Sequence, residues 1–152
     1  MQRLVKGLFE RKFKAIKEIK MNENSIHTLE QGRAKFAYDC VHKIAQDDNA
    51  DLKKKYKSGA KKLPVLIKTN GLGQTLAFIN KRDSGNEKLY GIIGKWLNHK
   101  QLVTLDGGIN LVDAVINRPS NEYRQITNET LALLNWVRRF VDGLMKDVEE
   151  EN

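Results

Sequence analysis

Seven lysines and no acid fall between Lys53 and Lys68, interrupted at helical spacing by apolar residues. At about 100° per residue, Lys53, Lys54, Lys57, Lys61 and Lys68 share one arc, with Lys55 and Lys62 on the opposite flank. Leu52, Tyr56, Gly59, Leu63, Leu66 and Ile67 share a different arc. Such a segment buries one side and presents a row of fixed positive charge on the other. The chemistry that suits this row is neutralisation of a polyanion, phosphate above all, rather than turnover of a small substrate. The alternative is plain solvation, since lysine faces also keep helices in water.

Other reactive groups do not converge. His27, His42 and His99 fall on different expected elements, with no HxxxH or Cys/His ligand spacing, so no metal site is expected. Cys40 and His42 are two apart on a helix and point in different directions, so they form no dyad; Cys40 reads as a small core residue. Gly71-Leu72-Gly73-Gln74-Thr75 suggests a phosphate loop, but it lacks the lysine and the spacing of one. A helix stop and restart is the simpler account, with the restarting amides as a possible phosphate hold. Trp96 and Trp136 sit within apolar series and are expected in the core rather than as stacking platforms. No catalytic residue, cofactor or enzyme activity is expected.

The elements that must carry the lysine row are helical throughout. Residues 1–21 form an amphipathic helix, with Leu4, Leu8, Ile16 and Ile19 flanked by Val5, Phe9 and Phe13 on one side. Arg3, Lys6, Lys14 and Lys17 occupy the other. This helix suits packing on its own domain or on a partner, or less readily an anionic membrane. Asn22-Glu23-Asn24-Ser25 reads as a connector, and Thr28-Leu29-Glu30-Gln31 as a capping box opening a second helix through Ile44. Asp47-Asp48-Asn49 ends that helix or starts the next. Pro64 predicts a kink near Lys61–Leu63, or two short helices, within the lysine segment. Asn70-Gly71 stops it. Further helices are expected over Gln74–Lys81, Glu87–Asn98 and Arg118 to about Asp147, with Asp83-Ser84-Gly85-Asn86 as a turn. Asp106-Gly107 is compatible with a hairpin, but the absence of another strand favours a loop and a short helix over Ile109–Asn117. Glu149-Glu150-Glu151 reads as a frayed acidic tail. The expected fold is all-α, a compact bundle of about six helices.

Charge is distributed as patches. Of the net +8 over 152 residues, residues 1–20 carry +5 and residues 53–68 carry +7, leaving the remainder at −4. The length suits one domain with a real core, and two parts are expected: a basic amphipathic extension over 1–24 and a single helical domain over 25–152. A lone cysteine excludes an intrachain disulfide and fits a reducing compartment. No apolar run approaches the roughly 18 residues of a membrane span, and no secretory core opens the chain. A soluble cytoplasmic protein is expected.

Three blocks resemble one family: Thr28-Leu29-Glu30-Gln31-Gly32-Arg33-Ala34-Lys35-Phe36-Ala37; Tyr56 to Pro64 with Asn70-Gly71-Leu72-Gly73-Gln74-Thr75-Leu76-Ala77-Phe78; and Leu131 to Phe140. In order and spacing they resemble the small subunit of the type III-B CRISPR Cmr effector complex, from about residue 26 to 146. The central block is the most specific, and residues 1–24 lie outside the likeness. The resemblance implies a compact helical protein without catalytic activity, several copies of which stack as the minor filament of a ribonucleoprotein. Its implied partners are guide RNA, target RNA, the repeated backbone subunit, other Cmr complex proteins and further copies of itself, with no membrane. The implied backbone contacts are Lys53, Lys54, Lys57, Lys61, Lys62, Lys68, Arg33, Lys35, Arg138 and Arg139. Guide pairing would then supply sequence choice, leaving the protein to read phosphates and helical shape. Alternative classes are a basic amphipathic peripheral membrane protein or a general nucleic-acid-binding helical protein; a metal-dependent nuclease is disfavoured by the lack of clustered acids or histidines.

Overall fold

The computed structural model describes residues 2–150, and of residues 24–27 the backbone alone. Among the described residues there are six α-helices, one short 3-10 turn and no strand. The helices are α1 (Gln2–Ala45), α2 (Ala50–Asn70), α3 (Leu72–Ile79), α4 (Ser84–His99), α5 (Leu111–Ile116) and α6 (Ser120–Leu144), with the turn at Asp106–Gly108. The all-α expectation holds.

Residues up to Arg33 form one unit and those from Ala34 onward another. In the first, the backbone is helical throughout, including Asn22 to Ser25. The connector expected there is absent, and Thr28 caps no helix start, because the chain is already helical before it. None of these residues is glycine or proline, so nothing forces a break. The side chains of Asn24, Ser25 and His27 lie outside the described residues. The apolar stripe of this unit is open: Leu4, Val5, Leu8, Phe9, Phe13, Ile16 and Ile19 are between 54% and 74% exposed. Phe9 and Phe13 stack one turn apart, 6.5 Å between centroids.

In the second unit α2 is the axis, packing against α3, α4 and α6. Its start is fixed locally: the Asn49 side chain accepts from the Leu52 amide at 3.1 Å. Asp83 caps α4 by accepting from the Asn86 amide at 2.8 Å, so the expected turn over Asp83 to Asn86 is the first turn of that helix. Asn110 caps α5 in the same way, which settles Leu102–Val112 as loop and short helix. Satisfying these first-turn amides typically contributes about 1 kcal/mol per cap. The core gathers Ala37, Val41, Tyr56, Leu63, Leu72, Leu76, Leu89, Ile93, Leu97, Ile126, Leu133, Leu134, Val137 and Val141, each nearly or fully buried.

Two glycines let α2 and α4 cross at close range. A Cβ on Gly85 would lie 2.3 Å from the Tyr56 nitrogen and 2.4 Å from the Lys55 carbonyl carbon. One on Gly59 would lie 2.7 Å from Leu89 Cδ1. Pro64 does not divide α2, which runs uninterrupted from Ala50 to Asn70. The expected pair of short helices is therefore not found. Pro64 is buried, and packing on the core compensates for the one ladder bond its missing amide forgoes. Gly71 ends the helix at φ +87°, its amide bonding the Ile67 carbonyl at 2.9 Å.

Candidate nucleic-acid interface

The position of α2 at the centre of the bundle decides what becomes of its lysines. Surrounded by helices, it cannot keep its whole polar arc in water. Lys57 is only 6% exposed. Its ammonium donates to the carbonyl oxygens of Met145 at 2.9 Å and Val148 at 2.7 Å. A buried charge is tolerable when its donors are satisfied in this way. Lys57 therefore leaves the exposed row and fastens the segment after α6 onto α2.

Lys61, one turn further, is also engaged. It pairs with Asp142 of α6 at 3.0 Å and with Glu150. Hydrogen bonds to Glu150 first and Asp142 second push the Lys61 ammonium pKa up, and the same lysine pulls the Glu150 carboxyl down. The acidic stretch is thus tied to α2 at Glu150 rather than frayed there; Glu151 lies outside the described residues. Lys55 pairs with Asp51 at 2.8 Å. The single unbroken lysine face expected from the helical wheel is accordingly divided.

What remains on α2 is Lys53 and Lys54, half-buried, and Lys62 and Lys68, exposed. None of these four has an acid partner within 4.0 Å among the described residues. Arg138 and Arg139 on α6 are exposed. Arg138 lies one turn before Asp142, the partner of Lys61, on α6. Arg33 pairs with Glu30 at 2.8 Å and Lys35 with Asp39 at 3.3 Å, both within α1. Between α2 and α6 the ion pair is Lys61 with Asp142, while Arg33 and Lys35 belong to α1 and carry local partners.

The glycine-rich stretch is not a free cradle of amides. The Gly73 amide donates to the Tyr123 hydroxyl at 2.8 Å, and the Thr75 hydroxyl donates to the Gly71 carbonyl at 2.8 Å. A Cβ on Gly73 would lie 3.0 Å from Ile116 Cγ2, so the glycine serves close packing of α3 on α5. Trp96 is buried as expected and donates to Glu129 at 2.8 Å. Trp136 is only half-buried, stacked on Phe140 at 5.6 Å.

Cys40 is half-buried and lines a cleft of about 630 Å³ with Phe36, Ile44, Tyr56 and Ile92. Burial raises the thiol pKa above its ordinary value, which suppresses the reactive thiolate. His42 stacks on Tyr38 at 5.7 Å. No group of three or more His, Cys, Asp or Glu side chains able to hold a metal occurs among the described residues. No helix of the described residues is long and apolar enough to cross a membrane.

Sequence reasoning missed Asp142, Glu150, and the carbonyls of Met145 and Val148, which decide which lysines are free. The acidic run after Asp147 was a legible signal for the ion pair; a backbone carbonyl carries no side-chain signal at all.

Residues 29–144 match the family model described as CRISPR-associated protein (Cas_Cmr5). A relative named CRISPR system Cmr subunit Cmr5, from Thermus thermophilus, is 29% identical over 123 residues, covering 80% of this chain and 100% of the relative. The fold is similar to the crystal structure of a CRISPR-associated Cmr5 family protein from the same organism. That likeness has a TM-score of 0.63 and 29% identity, over 76% of this chain and 98% of the other.

Proposed function

This chain belongs to the Cmr5 family of CRISPR-associated proteins, and we propose that it serves as a non-catalytic structural subunit of a type III-B Cmr ribonucleoprotein in the cytoplasm. In this reading the body from Ala34 onward stacks with further copies of itself beside the repeated backbone subunit. It holds the guide–target RNA duplex by its phosphates. The observation that carries the reading is the set Lys53, Lys54, Lys62 and Lys68, whose ammonium groups have no acid partner within 4.0 Å among the described residues, with exposed Arg138 and Arg139 on the adjoining helix. Lysine suits this task as a point charge that tolerates any base sequence. Lys61 contributes after exchanging Glu150 or Asp142 for phosphate, Arg33 and Lys35 are secondary contacts, and Lys57 holds structure instead.

The test is target-RNA retention by the assembled complex across a salt series. Lysines bound to phosphates release counterions, so removing one such lysine makes the salt dependence shallower, by about 0.9 in the log–log slope for a duplex. Replacing Lys53, Lys54, Lys62 and Lys68 with Glu is expected to weaken retention and flatten that slope. Lys57→Met, scored on the folded fraction, is expected to leave the slope unchanged. Retention equal to wild type at moderate salt for the fourfold variant would refute the RNA-contact reading while leaving family membership intact.

A further inference from the structure

The stripe on residues 4–19 lies outside the matched family region, which begins at residue 29, and the body's role in RNA contact does not use it. Leu4, Leu8, Phe9, Phe13, Ile16 and Ile19 are all more than half exposed. With Val5 they form one continuous exposed apolar stripe of seven large side chains. Exposed apolar patches of this size mark interaction sites. Three features select the occupant. Residues 1–20 carry net +5, so a second copy of the same helix would double a like charge at close range. Val5, Phe9, Lys12, Ile16 and Ile19 repeat at alternating spacings of four and three, the pattern of a helix seam. Lys12 stands within that seam, one turn from Leu8 and one turn from Ile16. Facing its own copy, it would meet another lysine; pressed onto lipid, its ammonium would be driven toward the acyl chains.

We propose that residues 2–23 dock in an apolar groove, rimmed by carboxylates, on a different protein subunit of the same ribonucleoprotein, with one acid of that groove facing Lys12. This rests on the assignment of the chain to that complex. The apolar stripe supplies the area, and Arg11, three residues after Leu8, and Lys20, four after Ile16, border it and meet the acidic rim. Lys12 sets register, as a single polar residue in an apolar seam does.

The experiment uses the complex purified with the full-length chain, treated with a carbodiimide that joins an amine to a carboxylate without a spacer. The expected product links Lys12 to an Asp or Glu of another subunit. Phe9→Asp and Lys12→Glu should each remove it and lower retention of the chain after a salt wash by about tenfold, the effect of removing a central anchor. A chain beginning at Asn24 should show the same loss while keeping RNA contact through the body. Circular dichroism of Lys12→Glu guards against loss of the helix. A Lys12 link only to a second copy, flotation of the full chain with phosphatidylglycerol vesicles that Phe9→Asp abolishes, or undiminished retention of the Asn24 chain would each overturn the proposal and spare the assigned function. Failure of both the full chain and the Asn24 chain to remain with the complex would overturn both.

Discussion

Residues 2–21 and residues 50–70 are built from the same materials, lysine and aliphatic or aromatic residues at helical spacing, yet they meet opposite surroundings. In α2 every residue of the expected apolar arc except Leu66 is buried, and one lysine goes under with them. In the N-terminal stretch the whole apolar arc faces solvent. Amphipathic pattern identifies a helix and its sidedness, but the number of neighbours that helix acquires is set by distant sequence. Glycine shows the contrast most directly. A Cβ on Gly7 would meet nothing within 4 Å, whereas one on Gly85 would strike α2 backbone.

The contrast can be pressed with paired substitutions. Gly85→Ala should cost about 3 kcal/mol, at the upper end for overpacking, since the atoms it strikes are backbone that must move as a unit. Gly7→Ala should instead strengthen its own helix by about 0.8 kcal/mol, seen as amide exchange protection rather than in the urea midpoint. Leu63→Ala should cost about 3 kcal/mol in urea unfolding, and Leu8→Ala less than about 0.5. An equal loss from both would mean the stripe is covered in solution.

Lys57→Met should cost about 2 kcal/mol, since the Val148 carbonyl loses its lysine donor and the Met145 carbonyl keeps only the Val148 amide, while Lys62→Met should fall within about 0.5. The smallest effect belongs to Tyr56→Phe, close to neutral at pH 7, because the buried hydroxyl has no hydrogen-bond partner among the described residues. Its pH dependence is the sharper readout. Burial, chiefly, pushes the Tyr56 hydroxyl well above its ordinary pKa, so the native state keeps a proton that the unfolded chain releases above about pH 10. Stability from this residue is complete below that value and falls as pH rises, by about 1.4 kcal/mol per pH unit. Tyr56→Phe should remove that part of the decline.

Much of the fold was legible because its signals are local. The Asn70-Gly71 stop of α2 and the apolar series of α6 each act within a turn or two, and helix period outweighs other patterns in such stretches. Pro64 left a kink or two short helices open, and α2 stays continuous because the cost of the proline is local while the compensating burial is tertiary. Thr28 misled because a capping box is informative only when the residues before it leave the helix. The candidate site was half legible: composition located the lysines, but not which of them face the interior. Lys57 is bonded to residues 88 and 91 positions away, beyond the reach of any wheel or window.

The bond from Lys57 to the carbonyls beyond α6 also has a consequence for synthesis. A chain emerging from the ribosome completes α2 long before Met145 and Val148 exist, so this ammonium must wait in water until those residues arrive. A product cut short before Met145 would hold all six helices but leave a charged donor with no acceptor beneath the surface. Such fragments should be open at that spot and less stable than the full chain, because the cover over residue 57 comes from residues beyond the sixth helix.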